Sequence, residues 1–559
     1  MRKKWFSAIL SAALIIAMLV VAFQDQNPLY DWLMTTRLAS WVQNPLYKGS
    51  VSADAVGEDA AGTQLQRVGD ETLVLWYTDD ALTEYVTTTA LSYQAEHGIK
   101  VKPVLVSGVE YLEQINRASV NEGEEGATEA PDLYITTHDN LMRAYLAGLA
   151  TPIDDTESVV LPQNYPQTAL HAVSCDEQYV AYPLYYETNF FLYNKTYMAN
   201  MAKERIEGES DAAQGLAATE ELARTEEEPA QAEVLDTSEE AAKGGAQTAD
   251  TGQMAEGEED AALTGEEGTP MGDEDAEASP EVLERLSTMI PATIDDILTF
   301  ANNYDAPEAV EAVFKWDVSD IFYNYFFVGN YMDVGGENGD NNAVFNIYNQ
   351  QSVDCLTVYQ NLNQFFSIDA DEVTYDGILK EFIEGKTVFT VATTDAIAKI
   401  EAAKAAGEFE FNYGVAVLPD ISSTLKARGL SVTSAVAVNG YSDRKEQANA
   451  FAEYLSYTKS DDLYKKAGKL ACKKDVNYDN PEISNVMSEY EKSVSLPKMI
   501  EASNYWVQLE IAFTRVWTGS DPDETLKELS DTIGGQIDEI EYHIPTQESI
   551  SAGAEDDVK

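Results

Sequence analysis

The sequence predicts an α/β fold, and three observations carry that expectation. Short runs rich in β-branched and aromatic residues alternate with stretches of helical composition. Polar breaks carrying Gly, Pro, Asp and Asn separate them. The 559-residue chain is also 44% hydrophobic and 10% aromatic, enough apolar material for a substantial core. Strands that alternate with helices imply a mostly parallel sheet covered on both faces, with any ligand held beyond the carboxyl ends of the strands.

Arg2, Lys3 and Lys4 precede an apolar run from Trp5 to Phe23 broken only by Ser7 and Ser11. At about 1.5 Å per residue such a run just spans a hydrocarbon core of about 30 Å, and its positive flank keeps the N-terminus cytoplasmic. Residues 1–23 therefore read as a signal anchor or a signal peptide, an N-terminal membrane helix in the first case. The lack of a clean small-x-small cleavage site after Ala22 favours the anchor. Residues 24–69 read as a linker. It carries a repeated phrase, Gln26-Asn-Pro-Leu-Tyr30 and Gln43-Asn-Pro-Leu-Tyr47, which fits either a membrane-surface element or an accidental repeat.

The first strand is expected at Thr72–Tyr77, followed by a helix over Ala81–Glu96 that Gly98 stops, and a second strand begins at Ile99 and runs to Val106. The same pattern recurs at Asp132–Ile135, Val388–Val391 and Tyr413–Leu418. Trp76 and Tyr77 read as core rather than ligand contacts, since strand interiors bury aromatics.

Charge is the strongest compositional bias. There are 36 Lys and Arg against 97 Asp and Glu, a formal charge of −61, which excludes the basic face a nucleic-acid partner requires. Much of the excess lies in residues 203–284, a stretch dense in carboxylates with no aromatic residue, and that segment is expected to be a disordered acidic insertion. The three cysteines, Cys175, Cys355 and Cys472, have no CxxC spacing, and with four histidines in the chain no metal or cofactor site is expected. His138 reads as a structural hydrogen-bonder.

The residues of the folded part then become recognisable. Ala130-Pro-Asp-Leu-Tyr-Ile135 leading to His138-Asp139, Tyr145–Leu149 and Pro152-Ile-Asp154 resembles a stretch of the periplasmic-type solute-binding proteins, specifically the maltose/maltodextrin-binding group. The likeness continues in order through Val180–Glu187, Leu192–Lys195, Phe382–Val391, Phe411–Pro419, Leu496-Pro497, Tyr505-Trp506 and Gly519. It implies a two-lobed periplasmic-binding-protein-like fold with crossing hinge strands. The implied division is a first lobe at 70–186, a crossover at 187–202, a second lobe at 285–410, a return to the first at 411–460 and to the second at 461–545, then a flexible tail at 546–559.

The resemblance also implies a function. Such a chain is a monomeric, non-enzymatic receptor outside the cytoplasm, closing on a sugar and delivering it to the membrane permease of an ATP-driven importer. Carried over residue by residue, Asp80, Glu110, Asp139 and Glu187 match sugar-contacting carboxylates, and Trp506 matches a stacking tryptophan. Ala81 stands where the family has lysine, Thr136 and Asp395 where it has tryptophan, and Asn140 and Glu510 where it has arginine. Asp395 and Glu510 join the candidate set on position, and Trp316, Asp317 and Tyr323 are expected to supply second-lobe contacts. These departures leave the solute open. A cationic solute such as a polyamine, or a sensory or adhesive role on the same fold, are alternatives, as is a glycosidase using Glu187 with a second carboxylate. Glu187 could instead pair with a lysine.

Overall fold

A computed structural model describes residues 72–121, 127–153, 159–225, 279–500 and 504–541. The expected membrane segment, the linker, the tail and residues 226–278 of the acidic insertion lie outside the described residues. Among the described residues no helix is long and apolar enough to cross a membrane.

The described part begins with β1 (Thr72–Tyr77), α1 (Thr83–His97), β2 (Lys100–Leu105), α2 (Tyr111–Val120), β3 (Leu133–Thr137), α3 (Leu141–Leu146) and α4 (Gln167–Ala172). A small hairpin of β4 (Ser174–Cys175) and β5 (Gln178–Tyr179) leads into the long β6 (Tyr182–Asn194). Two helices follow, α5 (Lys195–Thr225) and α6 (Pro280–Met289).

After them come α7 (Ile294–Asn303), β7 (Ala312–Phe314), α8 (Ile321–Asn324), the hairpin β8 (Asp333–Val334) and β9 (Phe345–Asn346), α9 (Gln350–Phe366), α10 (Tyr375–Ile383) and β10 (Thr387–Thr393). The remainder is α11 (Asp395–Ala406), β11 (Tyr413–Ala416), β12 (Leu430–Val438), α12 (Lys445–Glu453), α13 (Leu463–Ala467), β13 (Leu470–Ala471), α14 (Ile483–Lys492), β14 (Val494–Ser495), α15 (Tyr505–Trp517) and α16 (Pro522–Glu541).

Contacts divide the chain into two units. The smaller, Lys195–Ile290, is built from α5 and α6, joined by an Arg285–Glu209 ion pair. Here the structure corrects the sequence reading, because residues 203–225 and Pro280–Glu284, assigned to the disordered insertion, are helical. Lack of aromatics was the wrong criterion for these ends. Residues 203–225 are rich in Ala, Glu, Leu and Arg, all strong helix formers, and continue a turn already begun by the buried Met198 and Met201. Ser279 caps α6 by accepting from the Val282 N–H.

The larger unit holds a sheet of order β2-β1-β3-β12-β6-β10-β7. Its pairs β1–β2, β1–β3, β10–β7 and β12–β14 are parallel, whereas β6 runs antiparallel to β10, β11, β12 and β13 and β12 antiparallel to β3. The expectation of a mostly parallel sheet is thus corrected to a mixed one. β6 is long enough to serve two halves. Tyr182–Thr188 pair with β12, and Asn189–Tyr193 pair with β10.

Three segments therefore pass between the halves: β6 at Thr188–Asn189, β12 at its N-terminal end, and β14, which pairs with Leu430 and Ser431. The Asn189 amide fastens the crossing by donating to the Phe322 carbonyl at 2.9 Å and accepting from the Leu430 N–H at 3.2 Å. The sequence assigned 411–460 and 461–545 to alternate lobes. β11 pairs instead with Phe191–Asn194, across β6 from β10, and β13 pairs with Tyr185 and Tyr186 on the opposite half, so the chain changes halves at β12 and β14. Hydrophobic pattern finds a strand but does not say which partner it hydrogen-bonds.

Candidate functional site

Asp79 follows the fully buried β1, and its Oδ1 accepts from the Ala81 N–H at 3.1 Å, closing a single helical turn before α1. Glu187 is the one residue of β6 that is not fully buried, at the point where the strand passes from one half of the sheet to the other. Gly468, at φ 65°, ends α13 in a left-handed conformation and turns the chain into β13. β13 pairs antiparallel with β6, Leu470 opposite Tyr186 and Ala471 opposite Tyr185, and that register puts Lys469 across from Glu187.

The Lys469 ammonium contacts Asp79 Oδ2 at 3.0 Å and Glu187 Oε1 at 3.2 Å, and lies 5.2 Å from the centre of the Tyr185 ring. Lys469, Asp79 and Glu187 side chains are only 18%, 15% and 17% exposed. Burial raises the Glu187 carboxyl above the usual range; Lys469 opposes this, while Asp395 and then Asp79 add to it. Burial works against the Lys469 charge as well, yet Glu187, Tyr185 and Asp79 hold it well above the ordinary lysine value.

On the other half, Asp395 opens α11 directly after β10. Its Oδ1 accepts from the Tyr375 hydroxyl at 2.8 Å and from the Thr393 hydroxyl, and its Oδ2 meets Lys399 at 2.8 Å. Lys399 also reaches Asp376 and stands over the Tyr375 ring. Tyr375 stacks on Tyr323 with centroids 4.7 Å apart, both rings buried and both hydroxyl pKa values driven up by that burial. Carboxylates, lysines and tyrosines from both halves thus converge at the crossing of β6. The set can accept and donate hydrogen bonds and offers ring surfaces.

The candidates from sequence meet mixed fates. Glu187, Asp395 and Tyr323 belong to this cluster, and Glu187 is indeed paired with a lysine. Asp80 is exposed, and its neighbour Asp79 takes the place beside Glu187. Asp139 is half-buried beyond β3, next to His138. Trp506 is half-buried on α15, edge-on to Tyr325 at 5.3 Å, and Glu510 one turn later accepts from the Ile321 N–H at 3.3 Å.

Two candidates are corrected. Trp316 is fully buried, stacked on Phe314 and donating to Asn324 at 2.8 Å, so it is core rather than a platform. Asp317 is buried and spends its oxygens on Ser319 and on the Tyr375 N–H at 2.9 Å, which anchors Tyr375 instead of a ligand. Glu110 is exposed and pairs with Arg117 at 3.3 Å, and among the described residues no hydrogen bond or ion pair joins it to the cluster. Asp79, Lys469, Lys399 and Tyr375 were missed. A strand-terminal Asp-Asp pair at 79–80 was the only signal for the first, and none marked the lysines.

His138 is structural as expected. It is fully buried and accepts at Nδ1 from the Thr433 N–H at 3.0 Å, which leaves its proton on Nε2 to donate to the Leu496 carbonyl at 3.0 Å. Trp76 and Tyr77 are core, at 4% and 3% exposure.

With the geometry in view, comparison with known proteins defines the class. Two family models, each described as bacterial extracellular solute-binding protein, match residues 88–312 and 274–459. Between them the two matches span residues 88–459, and both are to extracellular solute-binding proteins, a family that binds solutes outside the cytoplasm. Among solved structures it is similar to a cyclo/maltodextrin-binding protein complexed with maltotetraose, at 17% identity and TM-score 0.59, over 84% of this chain and 99% of that one.

It is equally similar to an extracellular solute-binding protein from Staphylococcus aureus in complex with maltose, at 17% identity and TM-score 0.59, over 85% and 100% of the two chains. A Thermus thermophilus maltotriose binding protein bound with maltotriose follows at 15% identity and TM-score 0.54, over 83% and 100%. At these identities the likeness establishes the fold. No curated protein matches the sequence.

Proposed function

We propose that this chain is a surface receptor that captures a neutral oligosaccharide of the maltodextrin type and hands it to the permease of an ATP-driven importer. Its two lobes close about the three crossing segments, and solute that touches both lobes shifts the equilibrium toward the closed form. The run Trp5–Phe23 holds the receptor at the membrane and residues 24–69 serve as its tether.

The observation that carries this reading is that opposite halves of the sheet contribute one carboxylate each, Glu187 and Asp395, with Asp395 acting electrostatically on Glu187, Tyr185 beside the Glu187 cluster and Tyr323 and Tyr375 beside Asp395. Carboxylates accept from sugar hydroxyls and aromatic rings cover the apolar faces of pyranoses. The three neighbouring folds solved with maltose, maltotriose or maltotetraose support the choice of sugar class. Asp139, Trp506 and Glu510 serve as peripheral contacts.

The test is intrinsic tryptophan fluorescence of the full chain in mild detergent, titrated with maltose, maltotriose, maltotetraose and a panel of other neutral oligosaccharides. A saturable change with at least one sugar is expected, because Trp506 is only half-buried. Silence across the whole panel overturns the proposal.

A further inference from the structure

We propose that Lys469 is the specificity-determining residue of this site, pairing with Glu187 to recognise a neutral sugar hydroxyl and to turn away a cation. The inference rests on the sugar-receptor reading above and names the group that selects the solute class.

The bonding inventory carries it. Each Asp79 oxygen already has a partner, Oδ1 the Ala81 N–H and Oδ2 Lys469. Each Asp395 oxygen has a partner too, Oδ1 with Tyr375 and Thr393 and Oδ2 with Lys399. Glu187 uses only Oε1, on Lys469, and its Oε2 has no hydrogen-bond partner among the described residues. An ammonium has three N–H donors, of which Asp79 and Glu187 take two.

Glu187 Oε2 is therefore the carboxylate oxygen of these three side chains that has no partner among the described residues, and it stands beside the third N–H of Lys469. A hydroxyl both donates and accepts, so it satisfies the pair at once. An ammonium only donates. It would satisfy Glu187 while standing against the Lys469 charge, an arrangement that penalises it.

The surroundings keep this pair in place. Lys469 is held by two carboxylates and the Tyr185 ring, and its register opposite Glu187 follows from the pairing of β13 with β6. Neither residue has to be ordered when ligand arrives. Although Asp79 and Glu187 outnumber Lys469, the unpartnered carboxylate oxygen and the unpartnered N–H stand one to one.

The experiment is calorimetric titration of the full chain with maltotriose, maltotetraose and spermidine, for the wild type, Lys469→Met and Lys469→Arg. Circular dichroism checks that each variant is folded. The wild type is expected to bind the sugar and not spermidine. Lys469→Met should lose about 10- to 100-fold in sugar affinity, the range of a charged hydrogen bond, and gain measurable spermidine binding. Lys469→Arg should keep the wild-type preference.

Unchanged sugar affinity in Lys469→Met, or spermidine binding by the wild type, overturns the assignment. Should Lys469→Met fail to fold, Lys469→Gln gives the same comparison, and unchanged selectivity there is equally fatal. Absence of sugar binding by the wild type itself refutes the receptor reading, which distinguishes that failure from a failure of Lys469 alone.

Discussion

The residue that does most for the first half of the sheet is Asp132, buried to 2% exposure at the foot of β3. Its carboxylate accepts from the Val74 N–H at 2.8 Å, the Ser442 hydroxyl at 2.6 Å and both Nε and Nη2 of Arg444, at 3.0 and 2.9 Å. It thereby joins β1 and β3 to the start of α12. Asp132→Ala leaves the Arg444 charge and a buried N–H without their acceptor, and we expect a loss of about 3 kcal/mol in urea unfolding. An unchanged midpoint would refute this.

In the sequence, Asp132 was visible only as part of a recognisable phrase, and the same scale shows where reading stopped. Asp79 and Asp80 are equivalent in pattern. Only the capping bond to Ala81 and the reach to Lys469 select Asp79. Lys469 stands 282 positions from Glu187 and was invisible until β13 was paired with β6.

At the scale of elements, β6 governs the molecule, since one strand belongs to both halves of the sheet. Thr188 donates to the Leu430 carbonyl at 3.0 Å, and Asn189 supplies the two bonds that tie β6 to β12 and to Phe322. Asn189→Leu keeps the approximate volume and orphans a buried N–H and a buried carbonyl, a cost of about 2–4 kcal/mol. Guanidinium unfolding should report that loss, and a variant as stable as the wild type would show that the crossing is held by packing alone.

Strands β1, β2, β3, β10 and β11 were all legible, because apolar runs bounded by polar breaks are local signals. Their pairing was not legible. The expected return to the first lobe at 411 comes one strand later, because β11 bonds to the second half of β6, whereas β12, which was not picked out as a strand, bonds to the first. The helical start of the acidic segment was missed because composition was weighed over helix propensity.

At the scale of the whole molecule, the acid response follows from His138, which binds β12 through Thr433 and the segment after β14 through Leu496. Burial lowers its pKa from 6.5 to about 4, with Lys498 adding to the shift and Asp139 opposing it. The unfolded chain therefore binds the extra proton first, and stability rises with pH across this window. The contribution is present above about pH 6.5 and lost as pH falls to about 4, on the order of 3 kcal/mol in all.

Glu187 and Glu489 have the opposite sign. Burial raises both, so they stabilise below the usual carboxylate pKa and cease to as pH rises through the raised value. Melting curves at pH 4.5 and 6.5 should show a smaller acid-induced fall in Tm for His138→Gln than for the wild type. Equal falls would remove His138 from the account.

By itself, the sequence determined that this chain is an α/β protein, that its strands begin near Thr72, Lys100, Leu133, Thr387 and Tyr413, and that its charge of −61 suits no nucleic acid. Those are properties of composition and of periodicity over a few residues. Tertiary structure alone decided that the sheet is mixed, that β6 serves two halves, that Trp316 and Asp317 are interior, and that Lys469 stands between Asp79 and Glu187. Each of these depends on hydrogen bonds or ion pairs between residues far apart in the chain, and no local pattern encodes which distant strand a given strand will meet.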